Sequence, residues 1–317
     1  MRLFRLCILW LLVGIAATAA EVKIRSTKDG SEQPALLEIP PSAESKGDHA
    51  PVPLVVHLHS WSADYKSSNL MGEVEKSAQD LGWVFLSPNF RGPSKQPEAC
   101  GSDLATSDVL DAVHYAQSVA KIDPHRIYIV GGSGGGYMAL LLAARYPKEW
   151  AAISAWVPIS DLAAWHDSAK AAGSRYDVFL EQCFGGPPAA AASEYKRRSP
   201  LSQLGAAKGI PISIHVGIHD GHKGAVPVSH SLRAFNELAN ANGHAGRMLS
   251  EADIDVITKQ EKIPEHLLKE PLLPGEGNRF PTLFHRTAGP VSITIFEGGH
   301  ATDFPTAMKW LAAQGAR

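Results

Sequence analysis

The sequence has no concentrated basic region. Its 30 Lys and Arg residues are balanced by 32 Asp and Glu residues, for a net charge of -2. The longest basic run, 196–198, is only three residues long and is typical of a solvated helix end. Because nucleic-acid binding requires a clustered basic face, this balance argues against a nucleic-acid partner.

Long apolar runs are also absent, except at the start of the chain. Arg2 and Arg5 precede an apolar run from Leu6 to Ile15, and the small residues Ala16 to Ala20 follow. A charged, an apolar and a small-residue region in that order predict a signal peptide over residues 1–20. Cleavage after residue 19 or 20 fits equally well. The run is short for a membrane span, so we expect a secreted or periplasmic protein with no stable membrane anchor after removal.

Cysteine is scarce, with three residues in the whole chain. Cys7 lies in the predicted signal and lacks the small residues that a lipidation site needs before it. Removal of the signal leaves Cys100 and Cys183. An even number in an exported chain favours a disulfide, and two buried free thiols are the alternative.

What the sequence does contain is an alternation of β-rich apolar segments and helical patterns, which predicts an α/β fold with a mostly parallel central sheet flanked by helices. The strands are expected at 22–26, 36–39, 54–58, 83–87, 126–130, 152–157, 212–216 and 292–296. The helices are expected at 70–81, 103–120, 135–145, 228–240 and 306–313.

Two stretches interrupt this alternation. Residues 161–204 are rich in Ala, Gly and Pro and are predicted to form a short lid inserted between strands. Residues 243–290 are charged and then rich in Pro and Gly, and we expect an insertion packed on the core. Residues 21–317 would then form one domain.

The strongest chemical signal surrounds Ser133. A buried strand runs directly into Gly131-Gly-Ser-Gly-Gly135, which matches G-x-S-x-G, and a helical pattern of small and apolar residues follows. A strand, a sharp turn and a helix in this order are typical of a nucleophile elbow. A phosphate-binding loop is the main alternative, but the stretch lacks the Lys-Ser/Thr ending of a P-loop. A flexible loop is the second alternative.

With this motif, the chain resembles the α/β-hydrolases, in particular their prolyl-oligopeptidase-like and carbohydrate-esterase-like branch. The resemblance lies in four blocks that appear in the family's order and cover most of residues 50–313. They are Leu54-Val-Val-His-Leu-His-Ser-Trp-Ser, the elbow at Ser133, Ile214-His-Val-Gly-Ile-His-Asp before Val226-Pro-Val-Ser, and Phe296-Glu-Gly-Gly-His.

The resemblance implies a Ser-His-Asp triad of Ser133, Asp220 and His300. Asp220 follows a β-rich run, and His300 follows a strand and two glycines. The carboxylate would orient the imidazole, and the imidazole would take the proton from Ser133. Asp161, which also follows a strand, is the reserve acid. The spacing between Asp220 and His300 exceeds the family's usual one, and the insertion at 243–290 accounts for the excess.

The resemblance also implies an oxyanion hole. The residue after the nucleophile, Gly134, would supply one backbone N–H. The family's His-Gly-x turn reads His59-Ser60-Trp61 here, with Ser in place of Gly, and by position the second donor is the Trp61 amide. Trp61 and Tyr65 would lie near the site's mouth, where they could stack on a sugar or aryl group. Packing against the lid is the alternative.

A metal site at His215, His219 and His222, with Asp220 between them, is disfavoured. A strand followed by a loop does not present ligands as the helical H-E-x-x-H motif does. The histidines are expected to be solvated or to line the pocket. We therefore predict neither a metal nor a cofactor.

The expected function is that of an exported serine hydrolase that cleaves esters, with acyl groups on carbohydrates or related extracellular esters as the expected substrates, small or polymer-borne. Oligopeptidases of this broad family carry a propeller before the hydrolase, and too few residues precede Leu54 for one. A small peptidase lacking a propeller is the alternative. A non-catalytic carbohydrate-binding member is a third reading, disfavoured because all three triad positions hold competent residues.

Overall fold

The computed structural model describes residues 19–46, 48–269 and 279–317. The predicted signal peptide, apart from its last two residues, lies outside them. Within the described ranges, no helix combines the length and apolar character that crossing a bilayer requires.

A single nine-stranded sheet runs through the part of the chain that the structure describes. Its order is β1-β2-β4-β3-β5-β6-β7-β9-β8. The pairs from β4 through β3, β5, β6 and β7 to β9 are parallel, and the outer pairs are antiparallel. The predicted α/β class with a mostly parallel sheet is therefore confirmed. The strands are β1 (Ala20–Arg25), β2 (Glu32–Glu38), β3 (Val52–Leu58), β4 (Val84–Pro88), β5 (Ile122–Gly132), β6 (Ala152–Trp156), β7 (Ile212–Gly217), β8 (Thr282–Ala288) and β9 (Val291–Phe296).

The central strands are apolar because helices cover both faces of the sheet. Every residue of β4 and β6 is buried, as are all residues of β3 after its first. The helices are α1 (Ser68–Leu81), α2 (Asp103–Val119), α3 (Gly134–Arg145), α4 (Leu162–Ala171), α5 (Tyr176–Phe184), α6 (Ala192–Arg198), α7 (Ser229–Ala241), α8 (Glu251–Gln260) and α9 (Phe304–Ala312). Helix α3 is buried over its first eleven residues and packs on β3, β5 and β6.

The segment predicted as a lid, 161–204, contains α4, α5 and α6. A disulfide between Cys100 and Cys183 joins the loop before α2 to α5, with the two Cα atoms 6.3 Å apart. Both cysteines are buried. The lid is thus covalently attached to the body of the domain as well as packed on it.

The predicted insertion at 243–290 does not lie entirely outside the sheet. It contains α8, but its end is strand β8, which pairs antiparallel with β9 at the sheet edge. Residues 270–278 of this insertion lie outside the described residues. The expectation of an insertion merely packed on the core is therefore wrong for Thr282–Ala288, which extends the sheet.

Candidate active site

Ser133 occupies a sharp corner between β5 and α3. Its backbone has a φ of 57° and a ψ of -117°, which is uncommon for a residue with a Cβ. The corner is held by two backbone hydrogen bonds. The Ser133 N–H donates to the Trp156 carbonyl at 2.9 Å, and the Ser133 carbonyl accepts from the Tyr137 N–H at 2.8 Å. Such a strained, over-determined turn is the geometry of a nucleophile elbow.

The corner closes only because its neighbours are glycines. A Cβ on Gly131 would come within 2.5 Å of the Gly135 backbone, and one on Gly135 would overlap the Leu58 carbonyl at the end of β3. The backbones of β5 and α3 therefore approach each other more closely than side chains would permit, and α3 approaches the end of β3 equally closely.

Asp220 and His300 are in direct contact. The Asp220 Oδ2 lies 2.7 Å from His300 Nδ1. The other carboxylate oxygen accepts from the N–H groups of Gly221 at 3.0 Å and Val226 at 3.3 Å. Asp220 is fully buried, whereas the His300 side chain is about one-fifth exposed. The carboxylate is therefore fixed, and Nδ1 carries the proton it faces, which leaves Nε2 to accept a proton.

The sheet brings these two residues to the same edge as Ser133. Strands β5, β7 and β9 are all parallel and joined through β6, so the loops after them emerge at one edge. The chain after His300 then packs against the elbow, because a Cβ on Gly132 would lie 2.6 Å from the Thr302 methyl group. The predicted acid and base are therefore in contact with each other, at the sheet edge that carries the predicted nucleophile.

Two backbone amides adjoin at the elbow. A Cβ on Gly134 would overlap the backbone nitrogen of Trp61, so the backbone of Gly134 and that of Trp61 are in direct contact. Ser60, where the family has glycine, donates its hydroxyl to the Gly132 carbonyl at 3.2 Å. The departure from the family pattern therefore adds a hydrogen bond between the elbow and residues 59–61, which we name the oxyanion loop after its predicted role.

His59 holds the oxyanion loop from its other side. Its Nδ1 lies 3.0 Å from the Ser60 carbonyl oxygen and its Nε2 lies 2.8 Å from that of Asn89. The ring stacks on Phe90 with centroids 3.8 Å apart. Burial is the main influence on this ring and lowers the pKa of His59. The loop that carries the Trp61 amide is thus positioned before any substrate binds.

We expect Gly134→Ala to lower kcat by about 10²-fold, the effect typical of losing one oxyanion donor. The added methyl group would push the Trp61 amide away from the elbow. The measurement is the turnover of an aryl acetate. Gly72→Ala is the matched control, because a Cβ at that position in α1 meets nothing within 4 Å. It should keep full kcat and gain about 0.5–1 kcal/mol in stability. A fully active Gly134→Ala enzyme would contradict this arrangement.

The reserve acid, Asp161, has a different task. Its Oδ1 accepts from the N–H groups of Ala163 at 3.0 Å and Ala164 at 3.1 Å, so it caps α4. A capping carboxylate satisfies the free amides of a helix start. In the structure, therefore, Asp220 and not Asp161 contacts His300.

The two aromatic residues expected at the mouth lie in different surroundings. The Trp61 side chain is 2% exposed and packs edge-on against Trp165 of the lid at 4.8 Å. Tyr65 lies beside Lys66, near Glu21 of β1. Stacking of a ring on Trp61 is therefore excluded by its burial, and lid packing, the alternative, describes Trp61. Residue type alone could not show which way either side chain points.

The three histidines near Asp220 point to different partners. His215 is partly buried and stacks on Trp156, with ring centroids 4.1 Å apart, and the desolvation of its ring lowers its pKa to about 3. The Nε2 of His222 lies 2.8 Å from the Thr258 carbonyl oxygen, and His219 lies between Glu261 and Glu297. Among the residues that the structure describes, no group of three or more His, Cys, Asp or Glu side chains is arranged to hold a metal ion.

His219 joins the loops that carry Asp220 and His300. Its Nδ1 lies 2.5 Å from Glu261 and its Nε2 lies 2.7 Å from Glu297, three residues before His300. The hydrogen bond to the Glu261 carboxylate, followed by that to Glu297, raises the pKa of His219 above 6.5. His222 and Lys223 also lie near Glu261.

We expect the contact of His219 with Glu261 and Glu297 to stabilise the fold at low pH and to weaken at high pH. The folded pKa is raised, so the stabilisation is complete below the unfolded value of 6.5 and is lost as pH rises through the folded value. The Tm of wild type should therefore exceed that of His219→Gln at pH 6, and the gap should narrow at pH 9. The effect should be modest because the pair is partly exposed. His114→Gln, on the exposed side of α2, is the control, and a gap independent of pH would refute the assignment.

A cavity of about 270 Å³ opens one residue away from Ser133. We name it the Ser60 cavity. None of the described residues that line it is Lys, Arg, Asp or Glu. Its lining consists of His57, Leu58, His59, Ser60, Ala63, Ser67, Leu70, Gly132 and Phe304. A cavity of about 330 Å³ in the lid, beside Asp161 and Tyr195, is lined by none of Ser133, Asp220 and His300.

Sequence reasoning missed His57 and Phe304 as candidate site residues. His57 lies in an otherwise apolar strand, and that pattern predicts a position in the core. Phe304 follows His300 by four residues, at the start of α9. The signal that could have found His57 is its place two residues before His59, since alternate residues of a strand share a face.

The model of the prolyl oligopeptidase family matches residues 74–255 of this chain. The matched segment includes Ser133 and Asp220 and ends before His300. Dipeptidyl aminopeptidase BIII of Pseudoxanthomonas mexicana is 27% identical over 62% of this chain and 30% of its own length. NocK of Nocardia uniformis subsp. tsuyamanensis, provisionally named an esterase, is 30% identical over 37% of this chain and 36% of its own.

Among solved structures, a thermostable esterase superposes with a TM-score of 0.54. The match is 18% identical in sequence and covers 96% of this chain and 64% of that one. At 18% identity, this similarity shows a shared fold alone. The chain spans about a third of the length of the two curated relatives, so their whole-protein activities are not transferred to it by the match.

Proposed function

This chain belongs to the prolyl oligopeptidase family of α/β-hydrolases, which are serine hydrolases, and on that premise we propose that it cleaves carboxylic esters. The proposed substrates are acyl groups carried by carbohydrates or related extracellular esters. Ser133 is the proposed nucleophile, His300 the base and Asp220 the residue that orients the base.

In the proposed reaction, Ser133 Oγ attacks the ester carbonyl while His300 Nε2 takes its proton. The buried Asp220 stabilises the resulting imidazolium through its 2.7 Å contact with Nδ1. The amides of Gly134 and Trp61 stabilise the oxyanion. When the acyl C–O bond breaks, His300 returns the proton to the leaving alcohol, and water then hydrolyses the acyl-Ser133 ester by the same route.

The neutral lining of the Ser60 cavity is the observation that favours an ester. A peptide terminus bound there would need to bury a charge, and a buried charge requires an ionic or hydrogen-bonded partner. The described lining offers hydroxyls, imidazoles and apolar groups instead. On the lid side of the oxyanion loop, the buried rings of Trp61 and Trp165 pack edge-on against each other, with centroids 4.8 Å apart. Both observations suit a small, uncharged substrate group.

A small peptidase is the second candidate, and the comparisons favour it. The matching family is described by an oligopeptidase, and one relative is named a dipeptidyl aminopeptidase. The same triad could open an amide, provided that His300 protonates the leaving amine.

A panel of substrates separates the two candidates. Aryl acetates, feruloyl esters and prolyl-aryl amides would be assayed with the purified mature protein, with fluorophosphonate labelling to count active Ser133. We expect hydrolysis of the esters and little turnover of the amides. Hydrolysis of the amides alone would overturn the ester proposal in favour of the peptidase. Failure to label Ser133 together with no turnover would argue against both.

We further propose that the protein is exported. Support comes from the charged, apolar and small-residue order of residues 1–20 and from the Cys100–Cys183 disulfide, which persists in oxidising compartments. The test is expression of the whole chain in a bacterial host, followed by fractionation and mass measurement. A periplasmic or external product that begins after Ala19 or Ala20 is expected. A full-length cytosolic product would contradict export.

A further inference from the structure

The Ser60 cavity has a buried imidazole in its wall. His57 is the sixth residue of β3 and is only 4% exposed, yet it lines the cavity. Its ring lies edge-on to Phe304, another lining residue, at 5.8 Å. The mechanism above does not use this histidine.

The hydrogen bonds around His57 fix its tautomer. Its Nδ1 lies 3.3 Å from the Ser87 hydroxyl, which itself donates to the Tyr65 carbonyl at 3.2 Å. A hydroxyl has one hydrogen, so Ser87 can only accept from His57. Nδ1 therefore carries the proton and Nε2 is a lone-pair acceptor. Burial, followed by the nearby His59, lowers the pKa of His57 to about 3, so the ring stays neutral near neutral pH.

The cavity also lies beside the chain that follows His300. Its walls are the oxyanion loop, through Ser60, and the start of α9, through Phe304, which follows His300 by four residues. The group that receives the proton from His300 is the leaving alcohol, so the alcohol must face the His300 side. Trp61 and Trp165 occupy the space on the lid side.

We propose that the Ser60 cavity binds the alcohol part of the ester and that His57 Nε2 selects alcohols that carry a further hydroxyl group, as a sugar or another polyol does. This inference rests on the proposed ester hydrolysis. A hydroxyl of the bound alcohol donates to Nε2, while Phe304 and Leu70 contact its carbon skeleton. The volume of about 270 Å³ is at the small end for ligand cavities, which suits one ring and not a stretch of polymer.

The test uses two acetates that share a six-membered ring but differ in its polar groups, since the glucoside has three hydroxyls, a ring oxygen and a methoxy group and the cyclohexyl compound has none. Methyl 6-O-acetyl-glucoside and cyclohexylmethyl acetate both place a primary ester on a six-membered ring. We expect wild type to favour the glucoside by roughly tenfold or more in kcat/KM, the effect of one buried hydrogen bond. His57→Phe should bring the ratio of the two kcat/KM values close to one. His114→Gln, on the surface of α2, is the control and should keep the wild-type ratio.

A second variant guards against misfolding of the first. His57→Asn keeps a donor for Ser87 but lacks the atom at the Nε2 position, and it too should lose the preference. Equal kcat/KM values in wild type, or a preference that survives both substitutions, would overturn the inference while leaving ester hydrolysis intact. If wild type cleaves neither acetate but does cleave prolyl-aryl amides, the proposed function itself fails, and the inference fails with it.

Discussion

Ser133→Ala is expected to lower kcat by about 10⁶-fold, leaving only the contributions of the oxyanion hole and substrate binding. In the proposed mechanism, His300 and Asp220 act through this hydroxyl, and alanine offers no nucleophile in its place. The measurement is single-turnover and steady-state hydrolysis of an aryl acetate.

The fold should survive this substitution. Alanine has the same Cβ as serine, so it meets the same backbone strain at φ 57° and keeps both backbone hydrogen bonds of the corner. Thermal unfolding should therefore be close to that of wild type, and Ser118→Ala, at an exposed position of α2, serves as the control for both measurements. Substantial activity in Ser133→Ala would mean that another group performs the chemistry.

Asp220→Asn is expected to lower kcat by about 10⁴-fold. An amide can donate to His300 Nδ1, which would move the ring's proton to Nε2, the position that must accept the proton from Ser133. The asparagine would also fail to stabilise the imidazolium. Because Asp220 is fully buried, water cannot replace the lost charge.

Asp161→Asn is the matched control for Asp220→Asn. Both aspartates follow strands of the same sheet, but Asp161 caps α4, and asparagine caps helices about as well as aspartate. Its kcat and stability should therefore stay close to wild type. If Asp161→Asn proves the damaging change and Asp220→Asn the harmless one, the acid is wrongly assigned.

The elbow and the parallel sheet could be predicted because local chemistry determines them. Gly131, Gly134 and Gly135 are needed for backbone contacts that no other residue permits, so they mark the corner in the sequence itself. The resemblance to the α/β-hydrolases then placed Asp220 and His300, and the structure joins those two side chains.

Strand β8 was missed for a physical reason. Thr282–Ala288 follows a stretch rich in Pro and Gly and contains His285 and Arg286, so it has no apolar run to identify it. It is a strand because the edge of β9 is available for pairing, which is a tertiary fact. Strand β2 likewise begins at Glu32 rather than Leu36, with Pro34 inside it.

Side-chain direction was the other part that sequence could not supply. Trp61 is placed beside the elbow as expected, but its indole turns into the lid. His57 is in the expected strand, yet only the packed structure shows that it reaches a cavity. Both outcomes depend on rotamers chosen by neighbours distant in sequence.

The bond between Cys100 and Cys183 has a practical consequence for anyone who prepares this protein. It closes a loop of 83 residues, and in the loop-entropy description the loss of such a cross-link lowers the free energy of unfolding by about 4.5 kcal/mol. The loop includes the elbow, and α5, on which Cys183 lies, packs on α4, which carries Trp165. Material made in a reducing cytosol would have its lid held by packing alone. Comparison of its melting temperature and turnover with those of oxidised material should come before any specificity measurement.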